Sequence, residues 1–182
     1  MTKKKLLIML IVTICTVAVS VGATLAYLSA ISATLDNAFT IGSVEIELKE
    51  TTGDSYALIP GATVKKDPRV VVKGGSEDNF LFVKLEKANG LDDYIVYTLA
   101  EGWTPLGGEA GVYYRKLVRT GWDMEYEILQ DGCFTVKDTL TKEKMQAISA
   151  NPTLTITAYA VQSYGMDTVV DAWQEVYLEF NP

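Results

Sequence analysis

In Val44-Glu45-Ile46-Glu47-Leu48-Lys49, apolar and charged residues alternate at every position. Side chains of a β-strand point alternately to opposite faces, so this segment has one apolar face and one charged face. Such a pattern predicts a strand that packs on a core with one face and meets solvent with the other. Further apolar runs bounded by turn residues recur at 70–73, 80–85, 94–99, 112–118, 126–129 and 153–161. At least seven short strands predict an all-β fold, a β-sandwich or jelly roll.

Turn residues and a proline refine the positions of these strands. Residues 74–79 predict a polar turn between the strands at 70–73 and 80–85. Pro68 limits the strand that follows it to a sheet edge or to a strand start, since proline has no backbone N–H. The apolar residues of the last strand share one face, and they are Leu154, Ile156, Ala158 and Ala160. We therefore expect that face to point into the core.

One or two short helices are predicted beside the strands. Thr141 fits the N-cap of a helix over 142–149, and Leu140 and Met145 have the spacing of a hydrophobic staple. A second helical turn is predicted around 171–176. The expected fold is therefore all-β with a minor helical part, preceded by the N-terminal signal helix described below.

Composition narrows the functional classes before any motif is considered. The 182 residues, 48% of them hydrophobic, suffice for one folded domain. The absence of histidine excludes Ser-His-Asp triads, Cys-His nucleophiles, HExxH metalloproteases and His-based metal sites. The 23 acidic residues outnumber the 16 basic ones, and a net charge of −7 disfavours nucleic acid as a partner. The sequence thus predicts a protein that is not an enzyme, with no catalytic, metal-binding or cofactor-binding residues.

The first 26 residues have the pattern of an export signal. Three lysines at 3–5 precede an uncharged apolar stretch over 6–28. Thr24 and Ala26 supply the small residues that a signal peptidase requires, so we expect cleavage before Tyr27, with that peptidase as a transient partner. The alternative is an uncleaved anchor, because the apolar stretch is long enough to span a bilayer. In the favoured interpretation the chain meets a membrane only through this segment, before cleavage.

The exported chain is acidic and contains one cysteine. Cleavage removes three lysines and no acidic residue, which leaves 13 basic and 23 acidic residues and a net charge of −10. Cys15 leaves with the signal, so Cys133 has no partner for an internal disulfide. Few cysteines are typical of a Gram-positive exported protein. We expect Cys133 to be a half-buried structural side chain, since no histidine can activate it.

Residues 27–38 are predicted to be an assembly segment ahead of a folded domain over 39–182. The segment contains alternating apolar positions, and no turn signal pairs it with a local partner strand. Its candidate assembly residues are Leu28, Ile31, Ala33 and Leu35. Two interpretations fit this pattern: an edge strand of the chain's own sheet, or a donor strand that adds to the sheet of another subunit.

An ordered set of short motifs resembles a known family of exported proteins. The set covers most of the chain and comprises Gly22-Ala23-Thr24-Leu25-Ala26-Tyr27-Leu28-Ser29, Asn37-Ala38-Phe39-Thr40-Ile41-Gly42-Ser43-Val44-Glu45-Ile46, Ile59-Pro60-Gly61, Lys66-Asp67-Pro68, Gly75-Ser76-Glu77-Asp78 and Ala158-Tyr159-Ala160-Val161-Gln162. It resembles the TasA/camelysin family of secreted Gram-positive biofilm-matrix proteins, whose signal is cut by a dedicated ER-type signal peptidase. The resemblance implies a jelly-roll domain that forms extracellular fibres by donor-strand complementation. The chain departs from the family at Leu28, where members often have Phe, and over 92–122.

We therefore expect a secreted structural protein of the extracellular matrix or cell surface. It would assemble into or decorate biofilm-matrix fibres by donor-strand exchange, with copies of itself and other matrix proteins as partners. The alternative is a monomeric cell-surface module that binds polysaccharide or another matrix protein. That alternative is favoured if two of Trp103, Trp122 and Trp173 cluster at the surface, whereas core packing is the commoner role of such residues.

Acidic residues suggest two further, weaker alternatives. Glu77, Asp78, Asn79, Asp92 and Asp93 offer oxygen ligands for calcium, but they lack the spacing of a calcium-binding loop. A solvated acidic turn is the favoured interpretation. A hydrolase built only on carboxylates would need an acid pair, and no pair stands out in the sequence.

Overall fold

The structure is a computed structural model, and it describes residues 38–41, 43–53, 56–146, 148 and 151–180. All of them lie within the compact unit Asp36–Pro182. The strands of these residues are β1 (Ala38–Ile41), β2 (Ile46–Lys49), β3 (Thr63–Lys65), β4 (Arg69–Val72), β5 (Asn79–Ala88), β6 (Ile95–Val96), β7 (Thr104–Pro105), β8 (Val112–Leu117), β9 (Met124–Glu127), β10 (Cys133–Val136) and β11 (Thr153–Gln162). The α-helices are α1 (Lys142–Gln146) and α2 (Val169–Phe180). The predicted signal helix lies outside the described residues.

The strands form three sheets. Sheet I has the order β1-β11-β5-β8-β7, sheet II the order β2-β4-β9 and sheet III the order β3-β10-β6. Every pair of neighbouring strands is antiparallel except β1 and β11, which run parallel. The prediction of an all-β sandwich with two short helices is confirmed.

Sheets I and II pack on each other through the residues that alternation assigned to the core. In β2, Ile46 and Leu48 are buried, while Glu47 and Lys49 are only half-buried. The predicted apolar face of β11 joins the same cluster, in which Ile156 is 4% exposed. From β5 the cluster receives Leu81, Val83 and Leu85. The alternation of side chains along each strand therefore determines which residues lie in the interior of the sandwich.

Helix α2 covers the other face of sheet I. Its buried residues are Ala172, Trp173 and Val176, and the Trp173 ring lies 5.3 Å from the ring centroids of both Phe82 and Tyr159. Because β5 is covered on both faces, its residues 80–83 form a continuous apolar run rather than an alternating one.

The start of α2 is fixed by a reciprocal capping box. Asp171 N donates to Thr168 Oγ1 (3.1 Å), and Thr168 N donates to Asp171 Oδ2 (3.1 Å). The sequence predicted a single helical turn around 171–176, whereas α2 spans 12 residues. Packing on the aromatic residues of sheet I stabilises the additional turns.

Sheet III closes a third, smaller core around Phe134, Val136 and Leu140. The predicted N-cap is confirmed, because Lys144 N donates to Thr141 Oγ1 (3.3 Å). Met145 packs against the same core as Leu140, as the predicted staple requires. Residues 147, 149 and 150, which belong to the predicted helix, lie outside the described residues.

The predicted turn at 74–79 joins two different sheets, although its last residue, Asn79, is the first residue of β5. It leads from β4 in sheet II to β5 in sheet I. Strand β4 begins immediately after Pro68 and is the central strand of its sheet, so the strand-start interpretation of this proline is correct.

The predicted strand at 94–99 forms only β6 and an isolated bridge between Leu99 and Leu129. Within the described part of the chain, no helix is long and apolar enough to cross a membrane.

Candidate assembly site

Strand β1 covers only part of the edge of sheet I. Ala38 lies opposite Ala158, and Ile41 lies opposite Val161. Strand β11 begins at Thr153, five residues before Ala158, and its residues 153–157 pair with β5 on one side. Among the described residues, no strand pairs with the other side of 153–157. Within the described part of the chain this half of β11 therefore has an unpaired backbone edge, which we name the β11 edge.

The two faces of the β11 edge differ in polarity. Leu154 and Ile156 point into the core between the sheets, and Ile156 is almost fully buried. Thr153 and Thr155 point to the opposite face and are exposed. An added strand would therefore need apolar residues on one face and polar residues on the other. Main-chain hydrogen bonds to such an edge do not depend on sequence, so specificity would come from this face preference.

The residues predicted for export and assembly lie outside the described residues. They are Thr24, Ala26, Tyr27, Leu28, Ile31, Ala33 and Leu35. The predicted cleavage site and donor strand therefore stay predictions. Strand β1 begins at Ala38, one residue before the predicted start of the folded domain at 39.

A groove of about 730 Å³ opens on the other side of β5. It lies between residues 95–103 and the residues Lys87 of β5 and Tyr113 of β8. Tyr97, Trp103 and Tyr113 line it with half-buried rings. Burial raises the pKa of the Tyr97 hydroxyl, although the neighbouring Lys87 ammonium opposes this shift. The groove therefore combines aromatic walls with charged groups at its rim.

An arginine lies between two aromatic rings beside this groove. The Arg115 guanidinium is 4.8 Å from the Trp103 ring centroid and 5.2 Å from that of Tyr126. Burial lowers the pKa of Arg115. Glycine at position 102 allows the backbone to pass close to the Arg115 guanidinium. A Cβ at this position would lie 2.5 Å from a guanidinium nitrogen, which is too close for any other residue. The sequence pattern did not indicate this cluster, since its residues belong to three separate segments.

Three of the candidate calcium ligands interact with groups of the chain itself. Glu77 forms an ion pair with Arg119 (2.6 Å), and Asp78 Oδ1 accepts a hydrogen bond from Arg119 N (2.7 Å). Asp92 forms an ion pair with Lys87 (2.8 Å). Within the described ranges, no three His, Cys, Asp or Glu residues lie where they would hold a metal ion together. This arrangement supports an acidic turn at Glu77 and Asp78, whereas Asn79 is the buried first residue of β5.

The three tryptophans have three different environments. Trp173 is buried between α2 and sheet I, Trp103 is half-buried in the groove wall, and Trp122 is 67% exposed. Only Trp122 is therefore a fully surface-exposed tryptophan.

Cys133 is half-buried, as expected, and its Sγ lies 3.7 Å from the carbonyl oxygen of Gln130.

A polar network involves the Lys66-Asp67-Pro68 motif. Lys66 Nζ bonds both carboxylate oxygens of Glu50, at 2.8 and 2.9 Å. Asp67 accepts hydrogen bonds from Thr51, and these bonds lower the pKa of its carboxyl group to about 2. Sequence reasoning did not assign a role to these residues. The hydrogen bonds of Lys66 and Asp67 connect the segment after β2 to the segment before β4.

Comparison of the chain with protein-family models, with curated proteins and with solved structures gave no match.

Proposed function

We propose that the chain is an exported structural protein that assembles into, or decorates, extracellular matrix fibres by strand donation. The observation that carries this proposal is the β11 edge, five residues of β11 that have no described partner strand on one side and that adjoin the pairing of Ala38 with Ala158. Exposed edges of this kind promote association unless another strand covers them. The ordered motifs that resemble the TasA/camelysin family support the same conclusion.

The register of β1 on β11 determines whether the chain's own N-terminal segment or that of a second copy fits the β11 edge better. If the chain continued straight backwards from Ala38, Leu35 would lie opposite Thr155 and Asp36 opposite Ile156. Partners in a sheet share a face, so this in-chain arrangement would direct Asp36 towards the core and Leu35 towards solvent. An unpaired carboxylate in an apolar core costs far more than the burial of a methyl group contributes. The straight in-chain arrangement is therefore disfavoured.

A segment from a second copy is free of this restriction. Its register is not fixed by the link to β1, and a shift of one residue exchanges the two faces of a strand. In the shifted register Ile31, Ala33 and Leu35 would face Leu154 and Ile156, while Ser32 and Thr34 would face solvent. Each buried apolar side chain would contribute on the order of 1 kcal/mol before association costs. Repetition of this step from copy to copy gives a fibre, because each donor leaves its own edge open for the next.

Deletion of residues 27–36 tests the proposal. We expect the shortened protein to remain folded by circular dichroism, to elute as a monomer and to form no fibres in electron micrographs. Fibres formed by the deletion variant would contradict strand donation by this segment. Unfolding of the variant would assign the segment to its own sheet and would favour the monomeric binding module.

A further inference from the structure

The groove beside Trp103 is separate from the β11 edge. In sheet I it is lined by residues of β5 and β8, whereas the β11 edge faces away from β5. Its volume of about 730 Å³ lies within the range of small-ligand sites, roughly 300 to 1,000 Å³. The two sites adjoin at the pairing of Lys87 with Leu154, but strand donation would use the backbone edge of β11, whereas a groove ligand would contact side chains beyond β5.

The aromatic walls of the groove are held in place before any ligand binds. Trp103 Nε1 donates to the carbonyl oxygen of Glu127 (2.7 Å), and Arg115 packs on the indole. The Lys87 ammonium lies 5.2 Å from the centroid of the Tyr97 ring. Fixed rings lose little conformational entropy on binding, which favours a ligand that stacks on them.

Charged groups of both signs stand at the rim. Lys87 Nζ lies 2.8 Å from Asp92 Oδ1, and Lys137 Nζ donates to the backbone carbonyl of Asp92. Glu101 also lines the groove. The two ammonium groups and two carboxylates that line the groove supply donors and acceptors and balance one another in charge, while the Arg115 guanidinium beside it is packed between Trp103 and Tyr126.

This combination suits an uncharged sugar chain better than the other polymers of a matrix. Sugar rings offer C–H faces to aromatic side chains and hydroxyl groups to paired donors and acceptors. Acidic polysaccharides and nucleic acids are disfavoured, because the chain carries a net charge of −7 and the cations of the groove are balanced.

We propose that this groove binds a segment of uncharged polysaccharide. Trp103, Tyr97 and Tyr113 stack on the sugar rings, and the Lys87–Asp92 pair and Lys137 bond to the hydroxyl groups. The protein would thereby attach to the polysaccharide of a matrix independently of its polymerisation.

Titration of the secreted protein with cellohexaose and chitohexaose, followed by tryptophan fluorescence and calorimetry, tests this proposal. We expect saturable binding of at least one of them, and no binding of an oligogalacturonate of equal length. Trp103→Ala should weaken binding by at least about tenfold, and Trp122→Ala should leave it unchanged. Asp92→Ala should also weaken binding, and because the Asp92 side chain is 70% exposed, this variant retains the fold even if Trp103→Ala does not.

Three results would overturn the proposal. The first is no binding of either uncharged probe, and the second is equal binding by the Asp92→Ala variant. The third is displacement of the sugar by a peptide of residues 27–37, which would make the groove a strand acceptor. None of these results depends on whether the protein forms fibres.

Discussion

Ala38 lies directly opposite Ala158, at the first position of the parallel pair that joins β1 to β11. Because β11 extends five residues further back to Thr153, this pair sets the register of any strand that continues from β1. If the chain continued straight back in that register, Asp36 rather than Leu35 would lie opposite the buried Ile156. On this basis we propose that a strand from a second copy fits the β11 edge better than the chain's own segment continued straight back from Ala38.

Export should release a protein that begins at Tyr27. Thr24 and Ala26 fit the small-residue positions of a signal-peptidase site, so the secreted species should lack residues 1–26. Intact-mass spectrometry of the culture medium measures this directly. Full-length chain in the membrane fraction would instead establish an anchor and would remove the free N-terminal strand.

A charge on the apolar face of the donor segment should block fibre growth. Ala33→Asp would place a carboxylate against Leu154 and Ile156 of the next subunit, and we expect fibre elongation to slow by at least about tenfold with little change in thermal unfolding. Thr34→Asp is the matched control, because its carboxylate would face solvent and fibres should still grow. Elongation rates from light scattering distinguish the two variants. Equal inhibition by both would contradict the proposed faces of the strand.

The covering of sheet I by α2 should be a major source of stability. Trp173→Ala removes a buried ring that contacts Phe82 and Tyr159, so we expect the free energy of unfolding to fall by about 3–5 kcal/mol. Trp122→Ala removes an exposed ring of the same size and should change stability by less than about 0.5 kcal/mol. Urea denaturation gives both values. Similar losses in the two variants would show that α2 does not stabilise the sandwich.

Acid should weaken the network around Asp67. Its carboxyl pKa is lowered from 3.8 to about 2 by hydrogen bonds from Thr51, so the ionised form stabilises the folded state. That contribution is fully present above the unfolded pKa and is lost as the pH falls through the folded pKa. The difference in unfolding free energy between wild type and Asp67→Asn should therefore be constant above about pH 5 and shrink towards pH 2. The matched control is Asp138→Asn, because Asp138 is exposed. If the difference in unfolding free energy between wild type and Asp67→Asn does not change with pH, this assignment is contradicted.

Alternation along the sequence predicted the sandwich well, because local patterning decides which residues face a core. Ile46 and Leu48 are buried as their spacing requires, and the apolar face of β11 points into the same core. The strands that the sequence did not indicate are short: β1 and β10 have four residues each, β3 has three, and β7 has two, one of which is Pro105. Segments of this length carry too few positions for a period to be recognised.

The candidate sites depend on long-range pairing, which local patterning does not contain. The parallel register of β1 on β11 joins residues 120 positions apart, as in Ala38 and Ala158. The groove likewise combines β5, β8 and residues 95–103. The sequence indicates Trp103 only as one of three tryptophans that could stack on a sugar, and its neighbours Tyr97 and Tyr113 become visible only in the folded chain.

Disulfide trapping between separately produced chains tests strand donation most directly. In a Cys133→Ser background, one variant carries Thr34→Cys on the solvent face of the donor and a second carries Thr155→Cys on the solvent face of the β11 edge. Adjacent strands lie ~4.8 Å apart, which is within the reach of a disulfide. Oxidation of the mixture should give a dimer that contains one chain of each variant on a non-reducing gel. A third variant carries both Leu35→Cys and Thr155→Cys in one chain. If the mixed dimer does not form and this third variant forms an internal disulfide, strand donation is contradicted and the segment belongs to its own sheet.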